Sequence, residues 1–266
     1  MLTMRVDAQD LERFVAKIFQ ELGVPAEDSQ CAANSLVFAD VHGIASHGVA
    51  RLGRYVRGLA SRLINPTPSL QRVLDHPGLA LLNGDNGLGQ VVAAKAMELA
   101  VTKARESGIA AVAVRHSNHY GTAGYYALMA IPHGQIGVSL TNGHCRVVPP
   151  GGRLAMFGTN PIAVAVPAGS GDPWLLDMAT SVVSWGKLEE AVRRGQLVPE
   201  GWGVDAAGAP TRDPALILRE GANLPLGGSL GMSGIGYNQN IMLGQDNGFG
   251  GLCVRRIGNR QRRFNG

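Results

Sequence analysis

The stretch Ile162-Ala163-Val164-Ala165-Val166, then Pro167-Ala168-Gly169-Ser170-Gly171-Asp172-Pro173, then Trp174-Leu175-Leu176 decides the architecture. Two apolar runs separated by a Pro- and Gly-rich turn read as neighbouring strands. Parallel strands need a crossover of about a dozen residues or more. This connection is shorter, so the late strands pair antiparallel. Upstream the pattern is different. Leu79 to Leu82 reads as a strand, Gln90 to Glu106 as an amphipathic helix and Ile109 to Val114 as a buried β-branched strand. Ala123 to Ala130 reads as a helix and Ile136 to Leu140 as a further strand. Long crossovers early and short ones late predict an α/β fold with a mixed, largely antiparallel sheet surrounded by helices.

The N-terminal third is predicted to be helical. Asp7 is placed to cap a helix in which Leu11, Phe14, Val15, Ile18, Phe19 and Leu22 recur at helical spacing, and Gly23-Val24-Pro25 stops it. A second helix is expected from Ala26 to Asp40. A third follows Gly48, with Leu52, Tyr55, Val56 and Leu59 on one face. Between them lies a polar loop, His42-Gly43-Ile44-Ala45-Ser46-His47-Gly48. The expected division is a helical region over 1–75, a mixed-sheet region over 76–229 and an atypical tail over 230–266. The tail is rich in Gly, Asn and Arg and has no sustained period.

Composition bounds the class. The chain has 266 residues, 45% hydrophobic and 17% charged, which is globular and long enough for a sizeable core. No apolar run is long enough to span a bilayer, and residues 1–10 lack the basic-then-apolar order of a signal peptide. Cys31, Cys145 and Cys253 form no Cys-x-x-Cys pair, so a reducing cytoplasm is expected rather than a disulfide framework. The formal charge is +4. Arg255, Arg256, Arg260, Arg262 and Arg263, set against Asp246, account for all of it. A basic end on a neutral body is a solvated tail and not the stripe of a nucleic-acid binder.

Three clusters carry candidate chemistry. Arg51 is expected in the first turn of the helix after Gly48, one turn beyond the loop that holds Ser46 and His47. Imidazole exchanges a proton near neutrality, and the planar guanidinium matches a carboxylate. A helix cap and a solvated arginine account for the same spacing. Arg115-His116-Ser117-Asn118-His119-Tyr120-Gly121-Thr122 follows a predicted strand and precedes a helix. Ligands bind at strand C-termini in α/β sheets, and the amides of Gly121 and Thr122 suit a phosphate; an ordinary polar turn is the alternative. Thr141-Asn142, Pro149-Pro150-Gly151-Gly152 and Gly158-Thr159-Asn160-Pro161 form small-residue turns that let a ligand approach, or are turns only.

Other motifs are weaker. Gly87-Leu88-Gly89 imitates a dinucleotide fingerprint, but Val92 occupies the third glycine position. Gly227-Gly228-Ser229-Leu230-Gly231 matches a nucleophile elbow, yet the last histidine is His144, before it. The pairs His42/His47 and His116/His119 are possible metal ligands of a hydrolase, but neither sits in a His-Glu-x-x-His frame, and no metal is expected.

An ordered set of segments resembles the malate/L-lactate dehydrogenase family that is distinct from the Rossmann-fold lactate and malate dehydrogenases. The segments are Ala39-Asp40, Gly43-Ile44, Ser46-His47-Gly48 with Arg51; His119-Tyr120-Gly121-Thr122-Ala123-Gly124; Pro149 with Gly151-Gly152; Gly158-Thr159-Asn160-Pro161; Asp177-Met178-Ala179-Thr180; Gly186-Lys187; and Pro199-Glu200-Gly201-Trp202 with Asp205. They run from about Asp7 to Gly228. The resemblance implies a non-Rossmann nicotinamide-binding fold and hydride transfer between NAD or NADP and a small 2-oxo or 2-hydroxy acid. It implies that His47, assisted by Ser46, exchanges the proton and Arg51 holds the carboxylate, with His119 sharing or taking the proton-transfer role as in some members. Cofactor contacts carry over to His119, Tyr120, Gly121 and Thr122, to Asp177, Met178 and Ala179, and to Lys187. Thr141, Asn142 and Thr159 join these as cofactor candidates. A cyclic-imine reductase of the family has a catalytic aspartate where Lys187 stands, so the lysine argues for oxo or hydroxy acids. A homodimer with no nucleic-acid or membrane partner is expected.

The resemblance fails after Leu226-Gly227-Gly228. There the family has a Lys-Gly-Tyr-Gly segment opening a long apolar helix, with a lysine that contacts the cofactor. Here Gly234-Ile235-Gly236-Tyr237-Asn238 stands instead. A frameshifted or truncated reading frame gives that pattern, so a non-catalytic remnant of the family is the alternative to an active enzyme.

Overall fold

The structure is a computed structural model that describes residues 5–228 and the backbone of residues 249–255. Helix α1 (Ala8–Glu21) starts at Asp7, whose carboxylate accepts hydrogen bonds from the backbone N–H groups of Gln9 and Asp10. Such a cap is worth about 1 kcal/mol. Helices α2 (Ala26–Val41) and α3 (Leu52–Ala60) follow. Phe19, Leu36, Tyr55 and Leu59 close one apolar cluster together with Leu88 and Val91. The helical region is therefore packed onto the start of the sheet region and shares its core there.

The main sheet is built from β1 (Gln71–His76), β2 (Leu79–Gly87), β3 (Ile109–Ser117), β4 (Gln135–Thr141), β5 (Ile162–Val166), β6 (Trp174–Met178) and β10 (Phe249–Arg255), in the order β1-β2-β3-β10-β4-β5-β6. Only β2 and β3 are parallel, and helix α4 (Gly89–Ser107) is their crossover. All other ladders are antiparallel, as the short late connections require. Alternate residues on the strands point to one face. Ala80, Leu82, Ala110, Val112, Val114, Ala163 and Ala165 are buried there against α4 and helix α5 (Ala123–Leu128). Alanines at 93, 96, 100 and 104 of α4 let that helix lie close to the strands. A small sheet of β7 (Gly203–Val204), β8 (Pro210–Thr211) and β9 (Ala222–Asn223), with helices α6 (Trp185–Arg194) and α7 (Pro214–Arg219), completes the described fold.

Several boundaries differ from the sequence reading. The loop after α2 contains two 3-10 turns, Ala45–His47 and Val49–Arg51, so Arg51 precedes α3 instead of lying in its first turn. β1, α6, α7 and the small sheet were not anticipated. The tail reading is corrected at one point: Phe249–Arg255 is a strand although its sequence shows no strand period. It pairs with β3 on one side and β4 on the other, and two flanking ladders override weak local preference. The remaining tail features lie outside the described residues. These are the Ser229 elbow, the segment at residues 234–238 and the arginines beyond 255.

The glycines of the imitation fingerprint serve packing. A Cβ on Gly89 would lie 2.1 Å from the carbonyl oxygen of Asn118 and 2.5 Å from that of His119. A Cβ on Gly87 would lie 2.6 Å from the ring of Pro68. Both spaces are filled by protein. We expect Gly89→Ala to lower stability by about 1–3 kcal/mol or more, because backbone carbonyls cannot step aside as side chains do. Urea unfolding measures this. A phosphate-binding glycine would instead weaken cofactor binding and leave the unfolding midpoint in place.

Candidate active site

The site is assembled from the loop between α2 and α3, the turn after β3, the loop after β4 and the start of α6. Its first component is set by Asp40, in the last turn of α2. The Asp40 carboxylate accepts the Val49 N–H at 2.8 Å. A Cβ at Gly48 would fall 2.0–2.6 Å from the same carboxylate. Only glycine lets the carboxylate reach under this loop. With the loop so held, the Ser46 hydroxyl lies 2.9 Å from His47 Nδ1. Arg51 donates Nε–H to the Ser46 carbonyl at 2.7 Å and pairs through Nη1 with Glu189 of α6 at 2.6 Å. Gly186 permits this approach, since a Cβ there would meet Arg51 Nη2 at 2.5 Å and the Ser46 Cβ at 2.8 Å.

His119 comes from the turn after β3. Its ring stacks beside that of His47, with centroids 5.7 Å apart and planes 15° from parallel. Tyr55 of α3, fully buried, places its hydroxyl 2.6 Å from His119 Nδ1, and the Gly121 N–H points to the same nitrogen at 3.3 Å. A backbone N–H can only donate, so Nδ1 is an acceptor. The neutral ring therefore carries its proton on Nε2. For His47 the tautomer is open, because the Ser46 hydroxyl can donate or accept.

Both rings are held neutral. Burial, then the positive charge of Arg51, draws the His47 pKa below the ordinary imidazole value. Burial, then His47 and the arginines 54, 51 and 146, draws that of His119 well below it. Removing water and adding cations both disfavour imidazolium.

A cavity of about 300 Å³ opens in front of these rings. It is lined by His47, Arg51, His119, Tyr120, Gly121, Thr141, Asn142 and Thr159 of the anticipated residues. The Asn142-Gly143 wall is fixed by the Gly158-Thr159-Asn160-Pro161 turn. Asn160, at φ 33, accepts the Gly143 N–H on its side-chain oxygen at 2.9 Å. A Cβ on Gly158 would lie 2.3 Å from that oxygen.

Other anticipated residues sit outside the lining. The Asp177 carboxylate accepts from the Thr122 hydroxyl at 2.6 Å and the Gly124 N–H at 2.8 Å, so it caps α5 from β6. Met178 and Ala179 are half-buried beyond it, and Lys187 is exposed on α6. Ser46 lies behind His47. The proposed metal pairs are otherwise engaged: His42 Nδ1 lies 2.8 Å from the Phe38 carbonyl, and His116 Nδ1 lies 3.1 Å from the Asn83 side-chain oxygen. Among the described residues no group of three or more His, Cys, Asp or Glu side chains is placed to hold a metal ion.

The sequence reading missed Arg54, Arg146, Ser184, Trp185 and Glu189, which also line the cavity, and it took Tyr55 for an apolar helix face. Arg54 and Tyr55 had a signal. They lie three and four residues beyond Arg51, the spacing of one helical face. Arg146 and Glu189 had none, because only the tertiary fold brings them there.

Two half-buried histidines flanked by arginines in a small cleft, carried on a mixed sheet, have the chemistry to exchange a proton beside an anion. The chain belongs to the malate/L-lactate dehydrogenase family, whose profile matches residues 6–242. It is 51% identical over 225 residues to the malate dehydrogenase of Pyrococcus abyssi, covering 85% of this chain and 62% of that protein. It is 42% identical over 228 residues to the L-sulfolactate dehydrogenase of Methanocaldococcus jannaschii, covering 86% of this chain and 66% of that protein. The solved malate dehydrogenase of Pyrococcus horikoshii superposes with a TM-score of 0.84 at 40% identity, over 94% of this chain and 75% of that one. The chain thus spans less than two thirds of the length of the two Pyrococcus malate dehydrogenases that it matches.

The lowered histidine pKa values fix the sign of a pH effect. The unfolded chain takes up protons as pH falls through about 6.5, while the folded rings do not, so stability is lost on acidification. We expect the melting temperature to fall from pH 7 to pH 5. In His119→Asn the Oδ1 atom can replace Nδ1 as acceptor for Tyr55, and the fall should be shallower. An unchanged pH slope in that variant would show that His119 is not kept neutral by the fold.

Proposed function

We propose that this protein is an oxidoreductase moving a hydride between a nicotinamide cofactor, NAD or NADP, and a small 2-oxo or 2-hydroxy acid. The observation that carries this is the stacked pair His47 and His119. Each inner nitrogen is engaged, by Ser46 or Tyr55, at the wall of a cavity that also exposes Arg51. The dehydrogenase names of the relatives support the same reading.

The two rings divide the work. His119 presents Nε2–H as a hydrogen-bond donor to the substrate oxygen. His47, donating Nδ1–H to Ser46, keeps a free Nε2 lone pair that accepts the hydroxyl proton in oxidation and returns it in reduction. Its lowered pKa keeps this base unprotonated at neutral pH. Arg51 is fixed through Nε and Nη1, which leaves Nη2 to meet the substrate carboxylate.

The residues present fit a nicotinamide cofactor. Ser184 lines the cavity with a buried hydroxyl that has no hydrogen-bond partner among the described residues, and a bound polar group would satisfy it. Tyr120, Gly121, Thr141, Asn142 and Thr159 offer further contacts, and Asp177 works through Thr122 by holding the start of α5. We keep Met178, Ala179 and Lys187 as contacts for the outer part of the cofactor. The cofactor supplies the hydride acceptor or donor. Assembly as a homodimer and residence in the cytoplasm belong to the same proposal; the unpaired thiols of Cys31 and Cys145 fit a reducing compartment.

A panel of 2-oxo acids with NADH and with NADPH tests this reading. At least one acid should be turned over, and His47→Ala should lower kcat by roughly 100- to 10,000-fold, the contribution of a general acid–base. Full activity in His47→Ala would remove that role. Cofactor binding without turnover of any acid would leave a binding-only remnant.

A further inference from the structure

Gln90, the second residue of α4, is completely buried, and neither its Nε2 nor its Oε1 has a partner of full hydrogen-bond geometry among the described residues. A buried amide left in this state costs stability, and an apolar side chain of the same length would fill the space without that cost. What lies beside the amide is the hydroxyl of Tyr55. Gln90 stands between Leu88 and Val91, both packed in the apolar cluster that encloses Tyr55. One residue earlier, Gly89 abuts the backbone of Asn118 and His119. The Gln90 carbonyl faces the Cys31 thiol of α2 at 3.9 Å. The start of α4 is thus wedged between α2, α3 and the turn that carries His119. Burial raises the Tyr55 pKa, and the charge of Arg54 and then the Gln90 amide draw it back down. An amide lowers a phenol pKa by directing an N–H at the oxygen, which favours the phenolate.

A phenol has one proton to donate and an oxygen that accepts. An amide N–H directed at that oxygen leaves His119 Nδ1, 2.6 Å from it, as the group to which the phenol proton goes. We infer that Gln90 is a positioning residue, whose amide sets the direction of the Tyr55–His119 hydrogen bond and so holds His119 in the Nε2–H tautomer. Donation then runs from Gln90 Nε2 to the Tyr55 oxygen and from the Tyr55 hydroxyl to His119 Nδ1, which leaves Nε2–H for the cavity. The effect of Gln90 on turnover rests on the function proposed above; its effect on the tautomer does not.

Histidine nitrogen-15 NMR reads the tautomer directly, with the His119 signals assigned by their loss in His119→Asn. The unaltered protein should show the Nε2–H form alone. Gln90→Met keeps a buried side chain of similar length and removes the amide, so it should fold at least as stably. It should show a mixture of the Nε2–H and Nδ1–H forms. A merely structural role would change the melting temperature and leave the tautomer alone. An Nδ1–H ring in the unaltered protein, or an unchanged tautomer in Gln90→Met, overturns the inference. With a 2-oxo acid that is turned over, Gln90→Met should lower kcat by about two- to tenfold, the worth of one neutral hydrogen bond, and leave KM nearly as it was. On a Tyr55→Phe background the same substitution should cost nothing more. Equal losses on both backgrounds would overturn action through Tyr55. If no acid is turned over, the proposed function fails separately, and the NMR result still decides the role of Gln90.

Discussion

The hydrogen bond between the Tyr55 hydroxyl and His119 Nδ1 joins the helical region to the sheet region at the site itself. Its geometry requires a chain of earlier conditions. Asp40 must reach under the loop, which needs glycine at 48. The loop must then close as two short 3-10 turns, which sets where α3 begins and which way Tyr55 faces. The phenol is buried among Phe19, Leu36 and Leu59. Its hydroxyl needs a partner there, since an unpaired buried polar group is costly. The partner is the imidazole nitrogen whose acceptor state fixes the His119 tautomer. Packing and chemistry are thus set by the same contact.

Charge around the site is arranged asymmetrically. Burial, and after it the neighbouring positive groups, lowers the pKa of both imidazoles, while Glu189 is paired with Arg51. Asp177 lies on the other side and is tied to Thr122 and Gly124. Its negative charge raises the His47 pKa, though less than burial and Arg51 lower it. A wall of this kind combines cations with imidazoles of lowered pKa. A carboxylate placed nearer the rings would favour imidazolium and defeat that arrangement.

Much of this was legible from residues alone. The antiparallel half of the sheet followed from the short Pro- and Gly-rich connection at residues 167–173, and the parallel pair from the long α4 crossover. His47, Arg51 and His119 stood out because of their residue types and their positions at loop-to-element junctions. What stayed hidden depends on contacts distant in sequence. Arg146 meets Trp185 only because two loops fold onto one another. The hydrogen bonds that Thr122 and Gly124 of the α5 start donate to Asp177 of β6 likewise join residues more than fifty positions apart. The strand at residues 249–255 was invisible because its pairing partners, not its own alternation, make it a strand.

That last strand has a consequence for the order in which the protein is built. β10 lies between β3 and β4, so the hydrogen-bonded ladder from β1 to β3 and the one from β4 to β6 meet only through it. During synthesis both half-sheets leave the ribosome long before the segment that unites them. Each waits with a bare inner edge, open to pairing with another chain. Closing the sheet requires contacts spanning more than a hundred residues, as between Cys253 and Ala110. Long-range pairing of this kind slows folding and lengthens the time for which both edges stand open.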